Sequence, residues 1–222
     1  MSPVKLPPNV AGFVVNEIQT NTWVYRAPGS SDAMVVDPGG DLGGARAYLR
    51  ASSLAVRYIV VTHAHYDHIM AVEELQRETG APVVIGAADR DRFLDNMLNF
   101  SVPAGAGPAV SGAFPETVLR PVRDGDTLAL GAERVRIIAT PGHTPGGICL
   151  YIEERSGHRL MFTGDTLFCG DCGRTDLPGG DARAMAATLS RLAAFPADTV
   201  FFPGHGEPCT LGEDRLHNEW LR

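Results

Sequence analysis

Four times in this sequence an apolar, strand-like run stops at a turn and gives way at once to histidine or aspartate. The four stops are THAHYDH (62–68), TPGHT (140–144), TGDTLF (163–168) and PGHG (203–206). Three of them belong to a longer echo. AMVVDPGG, a helical stretch and VVTHAHYDH resemble LMFTGD, a helical stretch and TVFFPGHG. Each half reads as a strand ending in Asp, a helix, and a strand ending in a histidine loop. That pattern predicts two similar αβ halves packed sheet to sheet, with polar residues at the carboxyl ends of the strands. Open α/β sheets place their sites at such ends.

The remaining chain fits this frame. Runs 12–19, 22–27 and 33–37 are rich in β-branched and aromatic residues and are separated by turn formers, so they read as strands. VRYIVV (56–61) has the nearly continuous apolar character of a strand buried on both faces. Strands are also expected at 82–85, 134–140, 147–154, 159–165 and 198–202. Helices are expected at 41–53, 68–79, 87–98, 181–194 and around 212–221, the second stopped by Gly80. Residues 100–117, broken by prolines and glycines, read as a long surface loop, and such loops in compact domains are often functional.

At 222 residues the chain is expected to form a single domain, residues 1–222. Its composition, 44% hydrophobic and 20% charged, is that of an ordinary globular protein. A net charge of −7 with no local basic cluster argues against nucleic acid or an anionic membrane as partner. No apolar run is long enough to cross a bilayer, and the N-terminus shows no signal-peptide pattern. The expected compartment is therefore the cytoplasm, where the four cysteines are reduced thiols.

Five of the seven histidines lie in the four stops. A single buried histidine is more often a hydrogen-bonded core residue than a ligand, but four such segments in series point to a metal site. The segments offer seven donors: His63, His65, Asp67, His68, His143, Asp165 and His205. A histidine-rich set favours Zn or Fe over Mg or Ca. Seven is too many for one catalytic zinc, which takes about three protein ligands. Three and three with one shared carboxylate suit two ions about 3.5–4 Å apart.

The motifs THAHYDH, TPGHTPG, TGDTLF, GRTDLPGGD and PGHG, in that order, resemble the metallo-β-lactamase fold and, within it, the single-domain glyoxalase II-like hydrolases. The resemblance covers nearly the whole chain. It implies an α/β protein, an αββα sandwich of two mixed sheets with outer helices. It also implies that His63, His65 and His143 hold one divalent ion, that Asp67, His68 and His205 hold a second, and that Asp165 bridges them. Zinc is the expected metal, with iron or manganese as alternatives. The helical extension of two-domain glyoxalase II proteins is not matched here, which opens the question of substrate.

Divalent metals lower the pKa of bound water toward 7, so a metal-bound hydroxide can attack a carbonyl, with Asp67 orienting it or taking its proton. A thiolate leaves without full protonation, its free pKa being about 8.5. The expected reaction is thus hydrolysis of a small-molecule thioester, S-lactoylglutathione or a related 2-hydroxyacyl thioester. Tyr66 lies between donors and could face substrate, and Arg174 and Asp176 are expected to brace the loop after Asp165. Cys169 and Cys172 form a C-x-x-C pattern, whose simplest reading is two small buried residues, with a redox pair or a third metal site as the alternatives. Phe93, Leu94, Met97, Leu98 and Phe100 are core residues or a pocket lining. His158 and His217 belong to no motif. The rival reactions on this fold are an iron-dependent persulfide dioxygenase, suggested by CGRTD (172–176) with iron on His63, His143 and Asp165, and a lactonase, β-lactamase or acyl-thioesterase.

Overall fold

A computed structural model describes residues 4–221; the first three residues of the N-terminal stretch lie outside the described residues. Six strands form the first sheet: β1 (Val10–Val14), β2 (Asn21–Arg26), β3 (Asp32–Val36), β4 (Ala55–Val61), β5 (Val83–Gly86) and β6 (Leu119–Val122), in that spatial order. A second sheet begins with β7 (Thr127–Leu130), β8 (Glu133–Ala139), β9 (Ile148–Glu153) and β10 (Arg159–Gly164). A two-stranded ribbon follows, β11 (Leu167–Phe168) and β12 (Asp171–Cys172). Then β13 (Val200–Pro203) and β14 (Cys209–Thr210) complete the second sheet, whose order is β14-β13-β10-β9-β8-β7.

Both sheets are mixed, and the parallel pairs explain the sequence echo. β3 runs parallel to β4, and β10 runs parallel to β13. Each pair is joined through a helix, α1 (Gly43–Ala51) in the first case and the helix Ala182–Leu192 in the second. Antiparallel neighbours need only a hairpin, whereas a parallel pair needs a crossover. Each crossover leaves an Asp and a His-bearing turn side by side at the same sheet edge.

Helices α2 (Tyr66–Ile69), α3 (Val72–Thr79) and α4 (Arg90–Leu94) follow α1 in the first half, and α5 (Ala182–Leu192) and α6 (Leu211–His217) belong to the second. Alternation along the strands sorts the apolar residues into three layers. Ile59 and Val61 face Leu49, Val72 and Leu75 of the outer helices. Val60 points the other way, into the core shared by the two sheets, with Tyr25, Met34, Phe162 and Phe202. Within that core the Phe162 and Phe202 rings stack at 4.9 Å and Trp23 meets Phe202 edge-on at 5.2 Å. On the far side Met161 and Phe201 face Met185, Leu189 and Leu192 of α5. The order is helix, sheet, sheet, helix, the αββα sandwich.

Several element boundaries differ from the sequence expectation. The helix expected at 87–98 is a 3-10 turn at 87–89 followed by α4 alone, because Asp95 turns extended and its carboxylate accepts from the backbone N–H groups of Met97 and Leu98. That local bond competes with helix. The helix expected at 68–79 is two, α2 and α3, broken at Ala71. The first strand ends at Val14 rather than 19, where Gln19 adopts a left-handed φ of 62°. The last helix is α6 and a 3-10 turn at 219–221, separated by extended Asn218. Strand β6, with Pro121 inside it, was not expected; it lies at the edge of its sheet, where a missing N–H is tolerated.

No regular element interrupts 100–115. Asn96 anchors this loop through bonds to the backbone of Ala109 and Val110, and Val110 and Phe114 are buried. Among the described residues no helix is long and apolar enough to cross a membrane.

Candidate metal centre

The four stops converge at one end of the sandwich. β4 ends at Val61, and His63 and His65 sit in the extended turn before α2, whose first turn carries Asp67 and His68. A strand ending directly against a short helix therefore projects four donors from six residues. β8 delivers His143, β10 delivers Asp165 and β13 delivers His205. Close backbone approach makes this possible. A Cβ on Gly204 would stand 2.2 Å from Asp165 Oδ1 and 2.6 Å from the His68 ring, so only glycine fits there. Gly173 is in the same position against the Asp165 carbonyl, at 1.7 Å.

Three groups of donors result. His63, His65 and His143 form one, Asp67, His68 and His205 another, and His63, His68 and Asp165 a third, with the ligand atoms of each group within 4.8 Å of one another. Asp165 lies between the first two: its Oδ2 is 3.6 Å from His143 Nε2 and 3.5 Å from His205 Nε2, and its Oδ1 is 3.3 Å from His68 Nε2. Asp67 Oδ2 stands 3.1 Å from His68 Nε2 and 3.4 Å from His205 Nε2.

The outer contacts fix which nitrogen of each ring faces inward. His143 Nδ1 lies 2.7 Å from the Arg174 carbonyl, an acceptor only, so Nδ1 carries the proton and Nε2 presents its lone pair. His68 Nδ1 donates to Asp37 Oδ2 at 2.9 Å. His63 Nδ1 meets Thr62 Oγ1 at 3.2 Å, and that hydroxyl donates onward to Asp37 Oδ2 at 2.7 Å. Asp37 thus orients two donor histidines, one directly and one through Thr62.

What remains inside is a set of buried atoms that no hydrogen bond satisfies: His63 Nε2, His68 Nε2 and Asp165 Oδ1. Buried polar groups are costly without partners. His65 Nδ1 and His143 Nε2 face each other at 2.9 Å, as two lone pairs around a common cation would. Imidazole and carboxylate atoms orphaned toward one point fit divalent metal ions.

Charge divides the centre into two halves. Burial and neighbouring histidines hold His63 well below its ordinary pKa, and burial with His143 lowers His65 to about 3, so both rings are neutral. His68 goes the other way: burial opposes its charge, but Asp67, Asp165 and Asp37 outweigh it and raise the ring well above 6.5. Burial likewise resists ionisation of Asp67 and Asp165, and facing His68 overrides it, holding both carboxyls below their usual range. The carboxylate half demands positive charge, which a proton or a metal supplies.

Other sequence candidates fall in several places. Tyr66 is half-buried and lines a groove of about 380 Å³ that also reaches Asp67. The Arg174 and Asp176 side chains pair with each other at 2.6 Å, exposed, within the loop after Asp165, and the Arg174 carbonyl lies 2.7 Å from His143 Nδ1. Phe93 is core, Leu94 packs against it, Met97 and Leu98 are exposed, and the Phe100 ring contacts His65 at 5.5 Å. Cys169 approaches Cys209 rather than completing a pair with Cys172. His158 bonds Ser156 and Glu154 at the surface.

Two residues that carry structure here were missed. Asp37 was visible only as the end of a repeated strand pattern. Asp89, fully buried, accepts from Ala64 N at 3.0 Å and Gly146 N at 2.7 Å, tying the His63–His65 turn to the loop after His143. Its segment, GAADR, carries no motif.

Comparison with known proteins agrees with this geometry. Residues 15–205 match the model of the metallo-beta-lactamase superfamily. An uncharacterized protein of Mycobacterium tuberculosis is 34% identical over 223 residues, covering 96% of this chain and 97% of that one. Hydroxyacylglutathione hydrolase GloC of Haemophilus influenzae is 29% identical over 191 residues, covering 86% and 87%. Among solved structures, the B3 metallo-beta-lactamase BLEG-1 shares 31% identity with a TM-score of 0.85, covering 96% of this chain and 99% of that one. TTHA1623, solved in a di-iron-bound form, shares 30% with a TM-score of 0.78, covering 99% and 100%. ETHE1 from Myxococcus xanthus shares 27% with a TM-score of 0.71, covering 95% and 83%.

Proposed function

The chain belongs to the metallo-beta-lactamase superfamily, and from that premise we propose that it is a metal-dependent thioester hydrolase acting on a 2-hydroxyacyl thioester of the S-lactoylglutathione class. His63, His65 and His143 would hold one divalent ion and Asp67, His68 and His205 a second, with Asp165 shared. Zinc suits the imidazole-rich set, and the di-iron form of TTHA1623 makes iron the first alternative. When bound, the ions supply Lewis acidity and hydroxide near neutral pH.

The observation that carries this is the position of Asp165 between two donor triads, with the buried His63 and His68 Nε2 atoms left without a hydrogen-bond partner. The chain's own groups supply the rest. Asp67 belongs to both the donor cluster and the groove, and Thr20 Oγ1 donates to its Oδ2 at 2.8 Å. Its carboxyl is ionised, so it accepts a hydrogen bond from an attacking water and orients it. Ile18, Tyr66, Met70 and Ala104–Ala106 wall the groove, which suits a small acyl chain. Burial raises the Tyr66 phenol above its ordinary value, so it stays protonated and can donate to a substrate oxygen. A thiolate departs without full protonation, and that favours a thioester over an amide. The name of the Haemophilus relative supports the same substrate class.

The test is thiol release from S-lactoylglutathione by metal-replete protein, with a chelator-stripped control. Release that disappears on stripping and returns with metal is the expected result. Metal-loaded protein that leaves thioesters intact but opens a lactone, or that carries a single iron and consumes oxygen with glutathione persulfide, would overturn the proposal.

A further inference from the structure

Away from the centre, a second set of ligand atoms comes together: Cys169 Sγ, Cys209 Sγ and a carboxylate oxygen of Asp214, all within 4.8 Å of one another. We propose that these three residues bind one thiophilic divalent cation, of the zinc or cadmium class, at a site separate from the histidine-rich centre.

The three ligands come from three elements. Cys169 lies in the turn between β11 and β12, Cys209 opens β14, and Asp214 stands on α6. Cys209 and Asp214 are buried and Cys169 is half-buried, so an ion would be covered by protein on most sides with one side reachable from solvent. The Asp214 carboxylate is already aimed. Its Oδ1 accepts from Gly170 N at 2.6 Å and its Oδ2 from Asn218 Nδ2 at 2.9 Å. Both donors are neutral, and they use two of about four lone-pair sites. The ligand atoms lie within 4.8 Å of one another, within a small adjustment of coordination, since sulfurs about 2.3 Å from a tetrahedral zinc lie about 3.8 Å apart.

Chemistry favours an ion over a disulfide switch. Burial pushes the Cys169 thiol up and the Cys209 thiol up to about 12, and burial also raises the Asp214 carboxyl. Protonated thiols are poor nucleophiles for exchange. A bound cation reverses the burial penalty for all three groups at once, and binding releases their protons. The soft sulfurs select against the Mg and Ca class. Occupation would also fasten two loops of the centre, because Cys169 follows Asp165 and Cys209 follows His205 by the same short interval on their strands' outgoing turns.

The test uses reduced protein whose histidine-rich centre is already loaded, titrated with Cd²⁺ and, separately, Co²⁺. The centre has only imidazole and carboxylate donors, so a thiolate-to-metal charge-transfer band reports cysteine coordination outside it, whatever the protein's reaction proves to be, and the serine variants below assign it against Cys149 and Cys172. One further ion with that band is expected in the wild type. Cys169→Ser and Cys209→Ser should each lose the band and the extra ion while keeping the centre's metal content. Cys169→Ser, at the half-buried position, is the variant least able to disturb folding. Absence of the band in the wild type, its persistence in Cys169→Ser, or loss of two hydrogens to a Cys169–Cys209 disulfide with no metal uptake would overturn the proposal.

Discussion

Replacing Asp37 with Asn tests the centre at its least obvious support. Asp37 is 1% exposed and accepts three hydrogen bonds: from Thr62 N at 2.7 Å, Thr62 Oγ1 at 2.7 Å and His68 Nδ1 at 2.9 Å. The amide of Asn is the same size but has one acceptor oxygen. With that oxygen toward Thr62 N, its NH₂ faces the His68 N–H; flipped, it faces the Thr62 N–H. Either way one buried donor loses its charged acceptor, at a cost of about 1.5–3 kcal/mol. His68 can escape by moving its proton to Nε2, but that removes the inward lone pair. Both outcomes weaken the triad of Asp67, His68 and His205 by about 10–100-fold in metal affinity. A chelator competition titration measures this, with circular dichroism as the control for folding. Folded Asp37→Asn protein with metal affinities within about twofold of wild type would refute the view that this carboxylate sets the His68 tautomer.

Three further outcomes are expected. Asp89→Ala strands the Ala64 and Gly146 amides and should lower stability by about 2–6 kcal/mol; a urea midpoint unchanged from wild type would contradict the tie between the two donor loops. Loading the centre near pH 7 should release protons mainly with the ion that binds His68, a ring held protonated, while the His63–His65–His143 triad should add none from its neutral His63 and His65; a pH-stat titration with equal release for both ions would show this division of charge to be wrong. Glu154, buried among Asn9, Tyr25 and Ser156, has a carboxyl held below 4.5: burial alone would raise it, and those hydrogen bonds outweigh the burial. Its stabilising contribution is complete above pH 4.5 and is lost as pH falls through the lower folded value, so Glu154→Gln should be less stable at neutral pH and show a flatter acid limb in denaturation curves.

The seven candidate donors were legible because each follows a strong local signal, an apolar strand-like run that stops at a turn. The echo between the halves was legible too, since a strand–helix–strand unit folds into a parallel crossover wherever its helix packs back on the sheet. Asp37 and Asp89 were not legible as supports, because an aspartate at a strand end or in a plain turn looks alike whether it faces water or a histidine. Helix 87–98 failed for a local reason, the Asp95 side chain competing for backbone donors. The approach of Cys169 to Cys209 was not legible, since it joins the turn of the β11–β12 ribbon to β14, far along the chain.

The sequence by itself determined which residue types stand at which strand ends, and therefore the layers and the donor inventory. Periodicity and turn chemistry act over a few residues and are written in the chain directly. Tertiary structure decided which donor faces which, which ring nitrogen carries the proton, and which carboxylate stands between the triads. Those depend on contacts between segments far apart in sequence. Their distances follow from how two sheets and their helices pack as a whole, and no local rule contains them.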